Sequence, residues 1–485
     1  MNYKRGIFFL VTAWAIWIVT GYIINIGLGR SLGPEVYGIY GTVMSVLLWF
    51  EIFIITGIPY AVQKFVSSDV ENAYSILWTA GLIQCIMILC MLCGSFFTAP
   101  LLAKIFKDDR LVLYFRIAFI NILFYGIFYL FVSFQNGLQN FGKQALLLTV
   151  YNVSKLLFIF LSILIFQSLV SIFLAMTVGS IIGSLVGYIL INDKKRHPLY
   201  NKKQLISFAF PVLIYSLATN LFLYIDFWIV TVYLGKTVSG YFFAASTIAR
   251  IPYFFVLSLT AVVLPAISSK LVSHSFQEVK DIIQSACRML LLISVPVGIL
   301  TTIYNKDIIL ILYQSAYESG GVIVSVLIWG MIFLAYLLLL STIINADHRP
   351  IISVCIVMTA IVVDILLNIV LVPKYGAVGG AIATTIATGM GFIIALVWTY
   401  KRFHVFVRGK TFIRVAIAGL FVWVSSKVFI VHGSAILLLA LVNVIFYSLI
   451  LIISKEIRID DIINLFRNVE RIESIAPGSG ESLNL

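Results

Sequence analysis

The chain has 485 residues, of which 61% are hydrophobic and 11% charged, with a formal net charge of +13. Ordinary soluble domains carry roughly 25% charged residues, so this composition excludes a water-soluble globular fold and requires a chain solvated largely by lipid.

Apolar runs of about 20 residues match the length of a membrane-crossing helix. Fourteen such runs follow one another, at 7–28, 38–59, 74–97, 112–134, 145–166, 168–191, 206–234, 239–267, 284–304, 321–345, 351–373, 376–400, 411–431 and 434–454. The first follows Lys4 and Arg5, but it is too long for the core of a secretion signal and no small-residue cleavage site follows it. It is expected to stay as the first span. Between the fourth and fifth runs, "GLQNFGKQ" (137–144) has the spacing of a phosphate-binding loop. Such a loop needs a strand before it and Ser or Thr after the lysine; here an apolar run precedes it and Gln144 follows Lys143. It is expected to be a turn between helices.

Charge lies in the connections. "KKRHPLYNKK" (194–203) and "KRFHVFVRGK" (401–410) fall on the same side of the membrane as the amino terminus, and that side holds most of the 33 Lys and Arg. The opposite connections hold only Arg30, Lys104, Lys107, Arg110, Lys236, Lys306 and Lys374. This is the positive-inside bias, and it places both termini in the cytoplasm. The basic balance is therefore a topology signal, and no nucleic-acid partner is expected. Beyond the last run, "KEIRIDDIINLFRNVERIE" has apolar residues at helical spacing and is expected to be an amphipathic helix on the cytoplasmic side. A disordered tail, "APGSGESLNL", should follow it.

All five cysteines lie in or beside apolar runs. Cys90 and Cys93 have no His or second pair nearby, so packing is expected there rather than metal or redox chemistry.

The chain matches itself at a lag near 200 to 210 residues. "SLGPEVYGIY" (31–40) resembles "YLGKTVSGYF" (233–242), "SFQNGLQNFGKQ" (133–144) falls opposite "STIINADHRPII" (341–352), and "SKLLFIFLSILIF" (154–166) falls opposite "VDILLNIVLVPKY" (363–375). Each repeat holds six helices, so both halves enter the membrane in the same direction and a substrate path is expected between them. The expected architecture is an all-α polytopic membrane protein of about fourteen transmembrane helices, two six-helix repeats around a central cavity plus an extra pair. Its parts are 1–191, a cytoplasmic linker 192–205, 206–400, the pair 401–454 and the cytoplasmic segment 455–485.

An ionisable residue inside a span costs about 2.5–3.5 kcal/mol on insertion scales. Six stand in the repeated region: Glu51, Arg116, Lys155, Asp226, Arg250 and Asp364. Internal ion pairing is the plain explanation for any one of them, and Arg116 is near enough to a helix end to snorkel. As a set of both signs, three in each half, they point to a shared polar cavity. Asn152, Ser246 and Asn368 lie three or four residues from Lys155, Arg250 and Asp364, on the same helix faces.

"DILLNIVLVPKYGAVGGAIATTIA" (364–387), "FPVLIYSLATNLFLYIDFWIVTVYLG" (210–235) and "GRSLGPEVYGIYGTVMSV" (29–46) resemble the polysaccharide flippases of the multidrug/oligosaccharidyl-lipid/polysaccharide exporter superfamily. The resemblance spans essentially the whole chain, and the pattern from Leu367 to Gly379 is its most specific part. It implies a plasma-membrane flippase that carries a polyprenyl-diphosphate-linked oligosaccharide from the cytoplasmic to the outer leaflet by alternating access. It further implies no enzyme activity, no ATPase and no cofactor, with H+ or Na+ as a possible driving ion and glycan polymerases or glycosyltransferases as possible partner machinery. Asp226 is the position carried over most directly; Arg250 and Lys155 carry over by role, as cations for the diphosphate. Two rivals stand beside this reading. A cation-coupled drug exporter of the same superfamily typically has a carboxylate in helix one, which is missing here. A membrane glycan polymerase usually needs a sizeable outer loop with carboxylates or His, and the 305–320 connection has only Asp307 and Glu318.

Overall fold

The computed structural model describes residues 3–191, 193, 197–429, 433 and 435–456. The amphipathic segment and tail expected beyond the last run lie outside these residues, apart from Lys455 and Glu456. The described residues form sixteen α-helices and one 3₁₀ turn, with no strand among them. They are α1 (Tyr3–Ile55), α2 (Ile58–Ser68), α3 (Ala73–Ile105), α4 (Leu111–Gly137), α5 (Phe141–Ile165) and α6 (Leu169–Ile189) in the first half. The second half holds α7 (Lys202–Leu221), α8 (Ile225–Leu234), α9 (Lys236–Ala249), α10 (Ile251–Val272), α11 (Phe276–Ile303), α12 (Asn305–Tyr313), α13 (Gly320–Ala346) and α14 (Pro350–Phe403). The last two are α15 (Gly409–Val428) and α16 (Ala435–Ile453).

Among the described residues, twelve apolar stretches are long enough to cross a membrane, and two of these are far too long for one crossing. A straight 53-residue helix would be about 80 Å long against a hydrocarbon core of about 30 Å. The backbone interrupts both. Gly33 (φ 74°, ψ 169°) followed by Pro34 breaks α1, and Gly376 (φ 61°, ψ −149°) after Pro373 breaks α14. These positive-φ conformations favour glycine strongly, and proline removes a helix hydrogen bond. The breaks fall where the sequence separates the first run from the second and the eleventh from the twelfth.

Two other expected spans differ from the sequence picture. The runs 206–234 and 239–267 are each two helices, α7 with α8 and α9 with α10. Pro252, at the start of α10, accounts for the second break, because a proline fits the first turn of a new helix and not the interior of an old one. The halves of the first broken span have different neighbours. Helix α7 packs chiefly against α1 and α2, whereas α8 packs against α14 and α9. Phe208 of α7 sits edge-on to Phe65 at 5.9 Å, and the Lys64 ammonium lies 4.0 Å from the Phe208 ring centroid. Just before α7, Tyr200 N–H also reaches the first half, donating to Thr79 Oγ1 at 2.8 Å.

"GLQNFGKQ" is a helix–helix turn: α4 ends at Gly137 and α5 starts at Phe141. Lys143 Nζ donates to the Leu190 carbonyl at the end of α6, at 3.5 Å. Helices α15 and α16 attach through α11, where Glu456 accepts from Arg414 and Thr411, both at 2.7 Å, and pairs with Arg288 at 2.9 Å. Burial pushes the Glu456 carboxyl up, but these donors outweigh it and hold the pKa below its ordinary value.

The repeat-related stretches 31–40 and 233–242 meet face to face. Gly235 (φ 80°, ψ −178°) repeats the conformation of Gly33. A side chain at Gly38 would collide with the Lys236 carbonyl, and one at Gly240 with the Pro34 carbonyl. Each half thus uses one glycine to seat the other half's backbone. Around this contact Tyr317 Oη donates to the Gly29 carbonyl at 2.8 Å, Lys236 Nζ to the Phe106 carbonyl at 3.2 Å, and buried Tyr37 packs on Tyr40, Phe243, Tyr313 and Tyr317. Gly38→Ala and Gly240→Ala should each lower thermal stability, because overpacking costs about 1–3 kcal/mol. Gly21→Ala, with nothing within 4 Å, should be neutral or stabilising by up to about 1 kcal/mol. Unfolding of the purified variants in detergent checks the contrast.

Candidate functional site

The two broken spans come together at Arg250, the residue between α9 and α10. One guanidinium nitrogen donates to the carbonyl of Leu223, which lies in the break between α7 and α8. That carbonyl has lost its helical partner, and in hydrocarbon such a loss is costly unless another donor supplies it. The guanidinium also lies 4.9 Å from the centroid of the Tyr224 ring. Its Nε is buried and has no hydrogen-bond partner.

Asp226 is buried in the first turn of α8, where a carboxylate is favoured by the helix dipole. Its Oδ1 accepts from Phe227 N–H at 2.6 Å and its Oδ2 from Thr384 Oγ1 of α14 at 3.2 Å. Asp364, fully buried on α14, adjoins the same Thr384 hydroxyl. Asn368 Nδ2 donates to Asp364 Oδ1 at 2.9 Å, one helical turn away. Asp364 Oδ2 and Asn368 Oδ1 are buried acceptors without a donor. Two buried carboxylates thus adjoin one hydroxyl, with surplus acceptor capacity beside it.

The first half holds a separate polar chain. Buried Glu51 on α1 accepts from Asn121 Nδ2 on α4 at 2.8 Å, and Asn121 Oδ1 accepts from Ser180 Oγ on α6 at 2.7 Å. Lys155 on α5 is within electrostatic reach of Glu51 and its Nζ lies 5.7 Å from the Tyr151 ring centroid. No ion pair within 4 Å joins Glu51 and Lys155. Helix α6 comes close to Lys155 because Gly179 leaves room for the lysine backbone.

Five of the six expected charges therefore fall into two groups, Asp226, Arg250 and Asp364 in the second half and Glu51 with Lys155 in the first. Arg116 is the sixth. It is exposed on α4, with its guanidinium 4.0 Å from the centroid of Phe96, itself exposed on α3. Helical spacing gives the depth of a residue in a span but not its direction around the bundle. The shared-face expectation holds for Asn368, whereas Asn152 donates to the Leu148 carbonyl of its own helix at 2.7 Å.

The sequence reading missed the aromatic residues between the groups. Tyr224 stacks on Trp228 at 6.5 Å, and Trp228 meets Trp49 of α1 edge-on at 6.2 Å. Trp228 Nε1 donates across to Ser45 Oγ of α1 at 2.9 Å. Their only sequence signal was position, Trp49 two residues before Glu51 and Trp228 two after Asp226.

The geometry is that of a transporter seam, and comparison with known proteins agrees. The family described as polysaccharide biosynthesis protein matches residues 3–271, more than half of the chain, and the chain belongs to that family. A second family, MatE, matches residues 211–370. An uncharacterised membrane protein of Methanocaldococcus jannaschii is 26% identical over 419 residues, 81% of this chain and 94% of that protein. The probable flippase AglR of Haloferax volcanii is 31% identical over 176 residues, 35% of this chain and 37% of that protein. Among solved structures, the lipid II flippase MurJ in an inward closed conformation is similar with a TM-score of 0.77, at 19% identity, over 92% of this chain and 99% of that one. An inward-facing MATE multidrug transporter gives 0.69, at 13% identity, over 81% and 98%. At these identities the structural likeness shows the fold: an all-α, multi-pass membrane architecture. The similar proteins that carry functional names are flippases and transporters, in line with the expectation that this chain is not an enzyme.

Thr384 is the one donor that reaches across to Asp226 from α14. Thr384→Val keeps the volume and removes that hydrogen bond. It should destabilise the protein by about 1–3 kcal/mol, measured by thermal unfolding in detergent.

Proposed function

We propose that the protein is a flippase for a polyprenyl-diphosphate-linked oligosaccharide, moving it from the cytoplasmic to the outer leaflet of the plasma membrane by alternating access. The observation that carries this reading is Arg250. A guanidinium fixed where two spans are interrupted, with a buried Nε–H still unsatisfied, is a ready donor for a phosphate oxygen. Charge-assisted hydrogen bonds of this kind are the strong ones, more so away from bulk water. Lys155 is the second cation on the path, and Glu51 keeps the first half near neutrality while the path is empty.

On this reading α1 and α14 each cross the membrane twice, giving fourteen crossings. Residues 1–191 and 206–400 are the two repeats between which the path opens, and both termini are cytoplasmic. A diphosphate carries roughly two negative charges, and moving each outward across an inside-negative membrane yields about 2.3 kcal/mol per 100 mV. The surplus acceptors at Asp364 and Asn368, beside Asp226, suit a coupling cation, H+ or Na+. The same carboxylate pair and the MatE match also serve the rival reading, a cation-coupled drug exporter.

Arg250→Ala separates the two. It should lower glycan export by about tenfold or more, the scale of one lost charge-assisted contact, while the protein still inserts. A drug-export activity unchanged by Arg250→Ala, with glycan export normal, would favour the rival. Lys143→Gln should leave export intact, and ionophores should stop it with ATP present.

A further inference from the structure

The aromatic bridge between the two halves is not explained by packing alone. A buried Trp normally finds a partner for its N–H. Trp228 does, at Ser45, but Trp49 Nε1 is buried with none. Two further groups nearby are in the same condition: Tyr22 Oη of α1, and the Arg250 Nε already described. Tyr22 is within electrostatic reach of Arg250. Buried unsatisfied polar groups are few in native proteins, and each calls for an explanation such as a missing ligand or water.

Tyr22 lies beside the Arg250 end of one aromatic path whose other end is Trp49. The path runs from Arg250 to the Tyr224 ring (4.9 Å), on to Trp228 (6.5 Å) and across to Trp49 (6.2 Å). Both indoles are half-buried, and they come from opposite halves of the chain. Each of the three unpartnered groups is an N–H or O–H, so what they jointly lack is acceptor oxygens. An indole face suits the C–H face of a pyranose, and an N–H at its rim suits a ring hydroxyl. A guanidinium at one end and two indoles at the other match an anion joined directly to a sugar ring.

We propose that Trp49 and Trp228 form a platform for the sugar attached directly to the diphosphate, continuous with the anion site at Arg250. This rests on the lipid-linked glycan reading and deepens it, because it assigns recognition of the first sugar to residues outside the charged set. In the closed seam the Trp228–Ser45 hydrogen bond joins the halves. When the halves part, both indoles become available, and the sugar replaces contacts that the halves make with each other.

The test uses the full chain in lipid nanodiscs with two probes, farnesyl diphosphate and farnesyl-diphospho-N-acetylglucosamine, and reads both dissociation constants. The sugar-bearing probe should bind the unaltered protein about tenfold more tightly, the size expected from two aromatic contacts. Trp49→Ala and Trp228→Ala should each remove most of that difference while leaving farnesyl diphosphate affinity within about twofold, which also reports that the variants are folded. Trp49→Phe should keep part of the difference, and Arg250→Gln should weaken both probes. Equal affinity of the two probes for the unaltered protein would overturn the platform alone. So would Trp variants that weaken both probes equally, the mark of a packing role. Failure of the unaltered protein to bind either probe would instead overturn the lipid-linked glycan reading on which the platform rests.

Discussion

A helix that stops inside a membrane leaves backbone groups without partners, and hydrocarbon offers none. This constraint organises the centre of the protein. Two long apolar runs are interrupted, one at Phe222–Tyr224 and the other at Arg250, and one side chain meets both interruptions. Arg250 immediately precedes the second helix of one span and satisfies the Leu223 carbonyl in the other. A single hydrogen bond of this kind contributes little in water, but its absence in an apolar surround costs the full desolvation of the carbonyl. The break, the cation and the neighbouring Asp226 at the α8 N-terminus therefore belong together.

From that centre the rest of the molecule divides by what each end can do. At the expected outer end the two repeat-related stretches lock through backbone, with Gly38 and Gly240 each giving way to the other's neighbour. The contact is short-range and depends on shape, so it is either formed or broken, with little in between. At the other end α7 leans on the first half while its continuation α8 belongs to the second. The break at 222–224 is thus a natural joint between the halves. A contact that locks one end and a joint in a span at the other are the two elements that the proposed alternating access requires.

Much of this was legible in the sequence. Composition and run length give the spans, because nothing but lipid tolerates so few charges. Gly33–Pro34 and the Pro373–Gly376 stretch mark the kinks, since both residue types have one conformational meaning there. The internal repeat is legible too, and Gly33 and Gly235 adopt matching backbone angles at matching positions. What was not legible has physical causes. The break before Asp226 is hidden because the residues on either side of it contain no proline or glycine. The direction of Arg116 is hidden because one helix gives no information on its neighbours. The Trp49–Trp228 pair is hidden because aromatics make up 14% of the chain, so an individual tryptophan carries no signal until its N–H is seen to lack a partner.

The central claim is that the two ends of the seam open in alternation. Spin labels at residues 35 and 237, both exposed at the expected outer end, and at 67 and 269, both exposed at the opposite end, report the two distances in nanodiscs. The account predicts that any condition that lengthens the outer distance, including added farnesyl diphosphate or Gly38→Ala, shortens the inner one. An outer distance that stays single and short under every condition, or two distances that lengthen together, would contradict it.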